Sequence, residues 1–127
     1  MKWMFNNNRP IYAQLVEQIQ IGILSGEYPP GSGVPSVRTL ALEAEVNPNT
    51  MQKALAELET QGLLYTNRTA GRFVTEDMNM INELREKKAE ECISIFLDGM
   101  KSLGIEGDEA IKLIDNVLQS DKSKEVN

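Results

Sequence analysis

Residues 35–74 read PSVRTLALEAEVNPNTMQKALAELETQGLLYTNRTAGRFV. This stretch predicts two short amphipathic helices separated by a brief turn. Ser36 has a side chain suited to cap the first helix, and Asn47 is suited to cap the second, with Pro48 in its first turn. Gly62 follows the second helix, in the position where a glycine commonly ends one. Two helices this close together predict a helix-turn-helix.

Two short apolar runs come next and predict a β-hairpin. They cover residues 63–66 and 72–75, and the residues between them are polar. Upstream, Pro10 suits the start of another helix, whose apolar stripe ends before Gly26. This order of elements predicts a winged helix-turn-helix over residues 1–76.

Residues 77–127 have the pattern of a two-helix extension, which makes the predicted fold mostly α with one small β-hairpin. A wide apolar face runs along residues 81–103, Gly104 breaks it, and a second stripe covers residues 111–118. Because the first face is too wide for a lone surface helix, it predicts a homodimer through these helices. The competing interpretation folds both helices back onto the winged domain. The polar tail from Ser120 is expected to be frayed.

The composition restricts the chemistry that the chain can perform. Its 127 residues include no histidine and one cysteine, which removes the commonest general base and leaves no thiolate zinc site. No paired carboxylates or nucleophile motif is visible, so we expect no enzyme activity, no cofactor and no metal. Cys92 lies within the apolar stripe of the extension, which predicts a buried small hydrophobic residue and not a redox sensor.

Charge and hydropathy limit which partners and which cellular compartment the chain can have. The net charge of −6 argues weakly against a nucleic-acid partner, since phosphate binding draws on Lys and Arg. Residues 1–77 nevertheless carry 6 basic and 8 acidic residues, which is close to balance. The local placement of these charges therefore decides whether the chain can bind nucleic acid. The first residues lack the apolar core of a signal peptide, and no apolar run reaches membrane-spanning length. We therefore expect a cytoplasmic protein with no membrane partner.

The second helix of the predicted pair has a face suited to DNA. Asn49, Gln52 and Lys53 fall opposite its apolar side. Asn and Gln can each make paired hydrogen bonds to adenine, while Lys suits guanine or phosphate. Thr50 lies on the flank of the first turn, where its hydroxyl and free N–H groups could hold a phosphate. The alternative interpretation is a polar, solvent-facing surface.

The predicted hairpin carries two arginines. Arg68 and Arg72 flank its turn, and Gly71 permits a close approach to a groove or phosphate. Arg38, near the start of the first helix of the pair, could also reach the backbone or a guanine. Exposed arginines are common in hairpins, and Arg38 could simply pair with an acidic neighbour.

Together these motifs resemble the winged-helix domain of GntR-type bacterial transcription regulators. The resemblance rests on Pro35-Ser36-Val37-Arg38, Asn47-Pro48-Asn49-Thr50, Ala54-Leu55 and Gly71-Arg72-Phe73-Val74 and covers roughly residues 10–74. The opening Pro10-Ile11-Tyr12-Ala13-Gln14-Leu15 is similar to that of the short YtrA-like branch.

The resemblance implies a function and a set of contacts. It implies a sequence-specific regulator, usually a dimeric repressor on a two-fold symmetric operator, which often controls a neighbouring transporter operon. It leaves room for a small-molecule effector, although no constellation of polar residues marks a pocket for one. With the residue-based candidates, it implies that these residues bind double-stranded DNA: Ser36, Arg38, Asn47, Asn49, Thr50, Gln52, Lys53, Arg68, Ala70, Gly71 and Arg72.

Three departures from the family pattern and one alternative function accompany this hypothesis. Gly33-Val34 replaces the polar-Leu pair that is more usual before Pro35. Glu45 stands where the family usually has glycine, so a left-handed backbone there would cost about 1 kcal/mol. Arg72 stands where threonine is commoner, which adds charge to the hairpin. The alternative is a winged-helix module that binds a partner protein, since the uncharged face around Asn49 and Gln52 would also suit one.

Overall fold

Five helices and one antiparallel hairpin make up residues 1–125, the part of the chain that the computed structural model describes, with side chains as far as residue 122. The chain divides into two compact units, Met1–Arg85 and Glu86–Asn127. The elements are α1 (Ile11–Leu24), α2 (Val37–Ala44), α3 (Pro48–Thr60), β1 (Leu64–Asn67), β2 (Gly71–Val74), α4 (Met78–Ser102) and α5 (Gly107–Glu125).

The helix-turn-helix begins at the two caps that the sequence predicts. The Ser36 side chain accepts a hydrogen bond from the backbone N–H of Thr39 at 3.1 Å. The Asn47 side chain accepts one from the backbone N–H of Asn49 at 2.7 Å. Each cap satisfies a backbone donor that the first helical turn leaves free, and Pro48 follows as the first residue of α3.

Helix α3 is the centre of the first unit, because it packs against α1, α2 and β1. Its apolar side is completely buried at Met51, Ala54, Leu55 and Leu58. The remaining core is apolar and comes from every other element of this unit, namely Leu15, Val16, Ile19, Ile23, Leu40, Ala41, Ala44, Leu63, Leu64, Val74 and Ile81.

The hairpin forms where the apolar runs predict it, with each strand shifted by one residue. Strands β1 and β2 pair antiparallel, so that Leu64 lies opposite Val74 and Thr66 lies opposite Arg72. Gly33 adds an isolated bridge to Phe73 on the other edge of β2. The segment before α2 therefore covers the outer edge of β2 and fixes the hairpin to the body of the unit.

The segment before α1 packs against the core, which the sequence analysis did not predict. The side chains of Trp3 and Phe5 stack with ring centroids 6.3 Å apart and pack against the core cluster. Gln18 and Gln14 on α1 hydrogen-bond the backbone of Met4 and of Asn6 through both side-chain groups. These bonds place the segment alongside α1.

The first unit extends past residue 76, where the sequence analysis places the end of the winged domain. Ile81 is only 1% exposed and belongs to the core of this unit, and Arg85 donates a hydrogen bond to the Leu24 carbonyl at 2.7 Å. The start of α4 is therefore part of the winged domain, because its apolar residues close the core.

One expectation for the extension is wrong in the single chain, and another stays a prediction. Helix α5 runs to Glu125, so fraying from Ser120 stays a prediction, and the end of the expected tail lies outside the described residues. Cys92 is exposed, because the apolar face on which it lies is not covered in the single chain. Within residues 1–125, none of the helices is long and apolar enough to cross a membrane.

Glu45, which stands where the family usually has glycine, is the C-cap of α2. Its φ of 56° is left-handed, which leads to a prediction about stability. Glu45→Gly should raise the free energy of unfolding by about 1 kcal/mol, since glycine adopts this conformation without a steric cost. Urea denaturation measures the change. The control Ala56→Gly places glycine at an exposed position in α3 and should lower stability by about 1 kcal/mol. Equal losses for both variants would contradict the strain at Glu45.

Candidate nucleic-acid interface

The burial of one side of α3 leaves its opposite side facing solvent. Asn49, Gln52 and Lys53 are exposed, and Thr50 is half-buried at the first turn. Ala56 continues the exposed face without adding bulk. A helix of 13 residues with amide side chains on its free face has the dimensions and hydrogen-bonding groups to read base edges in a major groove.

The start of α3 lies beside the start of α1, and a shallow groove runs between them. Asn49, Thr50 and Lys53 line it from α3. From the other side Tyr12 contributes its ring, and the Lys53 ammonium lies 4.1 Å from the centroid of that ring. This cation–π contact orients a cation on the candidate surface. The sequence analysis did not include Tyr12 in the candidate site, because only the packing of α1 on α3 brings its ring to Lys53.

A second groove lies between the start of α2 and the hairpin, which we call the wing (residues 64–74). It brings together five of the expected site residues, although they are far apart in sequence. The Ser36 hydroxyl is occupied by its cap and by a bond to the Thr39 hydroxyl, while Arg38 is exposed. The expected residues that line this groove are Ser36, Arg38, Ala70, Gly71 and Arg72.

The tip of the wing is a tight turn that exposes Arg68. The Asn67 side chain accepts hydrogen bonds from the backbone N–H and from the hydroxyl of Thr69, at 3.1 and 3.0 Å. Gly71 has a φ of 96°, a conformation that favours glycine, and it starts the return strand. The turn is therefore held by its own residues, and Arg68 stays in solvent next to it.

Arg72 has a protein partner that the sequence analysis did not foresee. Its Nε donates to Glu59 Oε1 at 2.6 Å, and the Thr66 hydroxyl donates to the same oxygen at 2.5 Å. The hydrogen bond from Thr66 lowers the pKa of Glu59, and Arg72 lowers it further against the opposing effect of burial. The contact therefore stabilises the fold fully above the ordinary pKa of Glu, and this contribution is lost as the pH falls through the depressed value.

Within the described residues, no group of three or more His, Cys, Asp or Glu side chains is placed to hold a metal ion. The chemistry that the surface offers is amide, hydroxyl, ammonium and guanidinium hydrogen bonding, which suits base edges and phosphates.

The comparison with known families agrees with this geometry. The model of the bacterial regulatory proteins of the gntR family matches residues 11–74, the region of α1, the helix-turn-helix and the wing. The chain belongs to the gntR family.

Relatives of known sequence extend the similarity past the winged domain. The helix-turn-helix-type regulator YhcF of Bacillus subtilis is 36% identical over 108 residues, which cover 85% of this chain and 89% of YhcF. The repressor YtrA of the same organism is 41% identical over 71 residues, 56% of this chain and 55% of YtrA. These relatives confirm the resemblance to the family and to YtrA.

Solved structures give the same result for the fold. A GntR family transcriptional regulator from Listeria monocytogenes superposes with a TM-score of 0.80 at 38% identity, covering 88% of this chain and 98% of that one. The AraR DNA-binding domain in complex with operator ORX1 superposes with a TM-score of 0.54 at 31% identity, covering 59% of this chain and 96% of that domain. This gntR protein is a transcriptional regulator with a winged-helix DNA-binding domain, and not an enzyme.

Asn47 allows the capping role to be separated from a role in DNA binding. Asn47→Asp keeps the capping oxygen, so the free energy of unfolding should change by less than about 0.5 kcal/mol. Affinity for duplex DNA should fall, because a carboxylate would replace an amide at the end of α3 where the sequence analysis predicts phosphate contacts. Urea denaturation and fluorescence anisotropy with a labelled duplex measure the two effects.

Asn47→Ala serves as the control, since loss of the cap should cost about 1 kcal/mol of stability. Unchanged DNA affinity in Asn47→Asp would show that Asn47 is a cap and nothing more.

Proposed function

We propose that the chain is a dimeric repressor that inserts α3 into the major groove of a two-fold symmetric operator. The observation that carries this proposal is the exposed face of α3, where Asn49 and Gln52 are presented beside Lys53 on a helix whose other side is fixed in the core. The operator complexes of the AraR domain support the same use of the domain here.

The side chains divide into base-reading and backbone-binding groups. Asn49, Gln52 and Arg38 read base edges, since amide and guanidinium groups make paired hydrogen bonds there. The backbone of the duplex is bound by the first turns of α2 and α3 and by the wing, through Ser36, Asn47, Thr50, Lys53, Arg68, Ala70 and Gly71.

The proposed dimer interface is the apolar face of the second unit. Its large apolar side chains are exposed in the single chain, which a stable solution state would not tolerate over so many neighbouring positions. We propose a second copy of this chain as the occupant, because a two-fold axis lets one patch cover its own counterpart. The exposed residues are Ile93, Ile95, Phe96, Leu97, Leu103, Ile111, Leu113, Ile114, Val117 and Leu118.

The remaining parts of the proposal concern the cellular context. The repressor acts in the cytoplasm, where operators are located, and its target is a transporter operon that neighbours its own gene. A small-molecule effector would be identified by experiment as a ligand that lowers the affinity of the protein for its operator.

Operator binding should depend on salt and on the identity of residue 52. Selection from random duplexes should recover a palindromic site, and the log of the affinity should fall against the log of salt concentration with a slope of about −4 to −5. Gln52→Ala should relax preference at one base position of each half-site by roughly 1–3 kcal/mol and leave the slope unchanged.

Arg68→Ala is the matched comparison, because it removes a phosphate contact and no base contact. It should weaken all duplexes alike and reduce the magnitude of the slope by roughly 2 for a dimer. If no duplex is bound even in dilute salt, the proposed function fails; retention of a protein instead would favour the interaction module.

The dimer interface predicts that one apolar substitution separates the protomers. Phe96→Glu places a charge on the exposed apolar face of α4 and should shift the sedimenting species from dimer to monomer, because a carboxylate cannot be buried unpaired. Alkylation of Cys92, which lies on the same face, should become faster in this variant.

Lys87→Glu introduces the same charge on the opposite side of α4 and should leave the dimer intact. A wild-type chain that sediments as a monomer at every concentration would overturn the interface, and would favour helices that fold onto the winged domain.

A further inference from the structure

Glu59 touches both strands of the wing with a single oxygen atom. Thr66 on β1 and Arg72 on β2 are register partners, and both donate to Glu59 Oε1. Glu59 itself follows Leu58, which is completely buried, so the carboxylate projects from a rigid part of α3. The cluster therefore connects α3, the proposed recognition helix, to the hairpin one residue pair before the turn that carries Arg68.

The short hairpin needs such a contact. Each strand has four residues, and a two-stranded hairpin of this length has little stability of its own. Leu64 and Val74 bury the base of the wing, whereas the residues nearer the turn are exposed or half-buried. The Glu59 contact therefore joins the hydrogen bond from the Val34 N–H to the Arg72 carbonyl, at 3.0 Å, in holding the outer half of the wing to the body of the domain.

The geometry also limits what Arg72 can do. Its side chain is 18% exposed and its Nε is bonded to Glu59, while Arg68 is exposed. If Arg72 turned outward to a phosphate, it would leave the Glu59 carboxylate uncompensated close to the DNA backbone. The attraction of one cation would then be offset by the repulsion of one anion.

We propose that Arg72 is a positioning residue, which together with Thr66 uses Glu59 to hold the wing on the recognition helix, and that Arg68 is the wing arginine that binds phosphate. This proposal rests on the proposed operator binding for its consequence in DNA affinity, but the wing contact itself belongs to the free protein. Glu59, the partner of Arg72, then affects DNA binding without contacting DNA.

The first measurement is amide hydrogen exchange of the free protein. Glu59→Gln and Arg72→Met should each speed exchange across residues 64–74 by about two- to five-fold relative to α1, as expected for loss of one partly exposed ion pair. Amide exchange in the double variant should be no faster than in either single variant, because both substitutions remove the same contact. Glu57→Gln, which alters an exposed carboxylate of the same helix that bonds Gln61 and not the wing, should leave exchange unchanged.

The second measurement is operator affinity as a function of salt. Arg72→Met should lower affinity by about two- to five-fold with Glu59 present and by less than about two-fold in the Glu59→Gln background, since its effect passes through Glu59. The salt slope should stay at the wild-type value in Arg72→Met and fall in Arg68→Ala. A purely structural role would not separate the two arginines in this way.

The outcomes are distinguishable. Two results together would make Arg72 a phosphate contact and overturn the proposal. The salt slope would fall in Arg72→Met as it does in Arg68→Ala, and Arg72→Met would lose the same affinity in both Glu59 backgrounds. The proposal would also be overturned if Glu59→Gln speeds amide exchange in the wing no more than Glu57→Gln does. If the wild-type protein binds no duplex, the proposed function fails, while the exchange data still decide whether the cluster holds the wing.

Discussion

The complete burial of one side of α3 is the constraint on which the rest of the structure depends. Met51, Ala54, Leu55 and Leu58 are each 0% exposed and contact the neighbouring helices and the first strand. With α3 unable to rotate about its axis, the 3.6-residue period places Asn49 and Gln52 in solvent. Burial thus orients the polar side chains toward solvent, and it makes the free side of α3 the surface that we propose reads base edges.

Two contacts extend this constraint to the cationic groups. Lys53 lies over the Tyr12 ring, so α1 orients it, and Arg72 is bonded to Glu59, so α3 orients the wing. Both contacts pair a charged group with a neighbour from another element. In a chain with a net charge of −6, such local arrangement matters more than the total, because phosphate contacts depend on which cations are free at the surface.

The second unit follows a different physical rule. Its helices expose a series of large apolar side chains around Cys92, and hydrogen bonding along the helices cannot compensate for that exposure. The first unit has a closed core and the second leaves its apolar face exposed in the single chain, which is the observation behind the proposed dimer.

The sequence by itself determined the elements, because their signals are local. Ser36 and Asn47 start helices, Gly62 follows one, and apolar spacing separates the buried side of α3 from its free side. The family pattern added the fold and the candidate residues. Only the tertiary structure decided the partners of Tyr12 and Arg72, the packing of Trp3 against the core and the inclusion of Ile81 in it. These depend on how elements distant in sequence pack together, and neither periodicity nor capping signals contain that information.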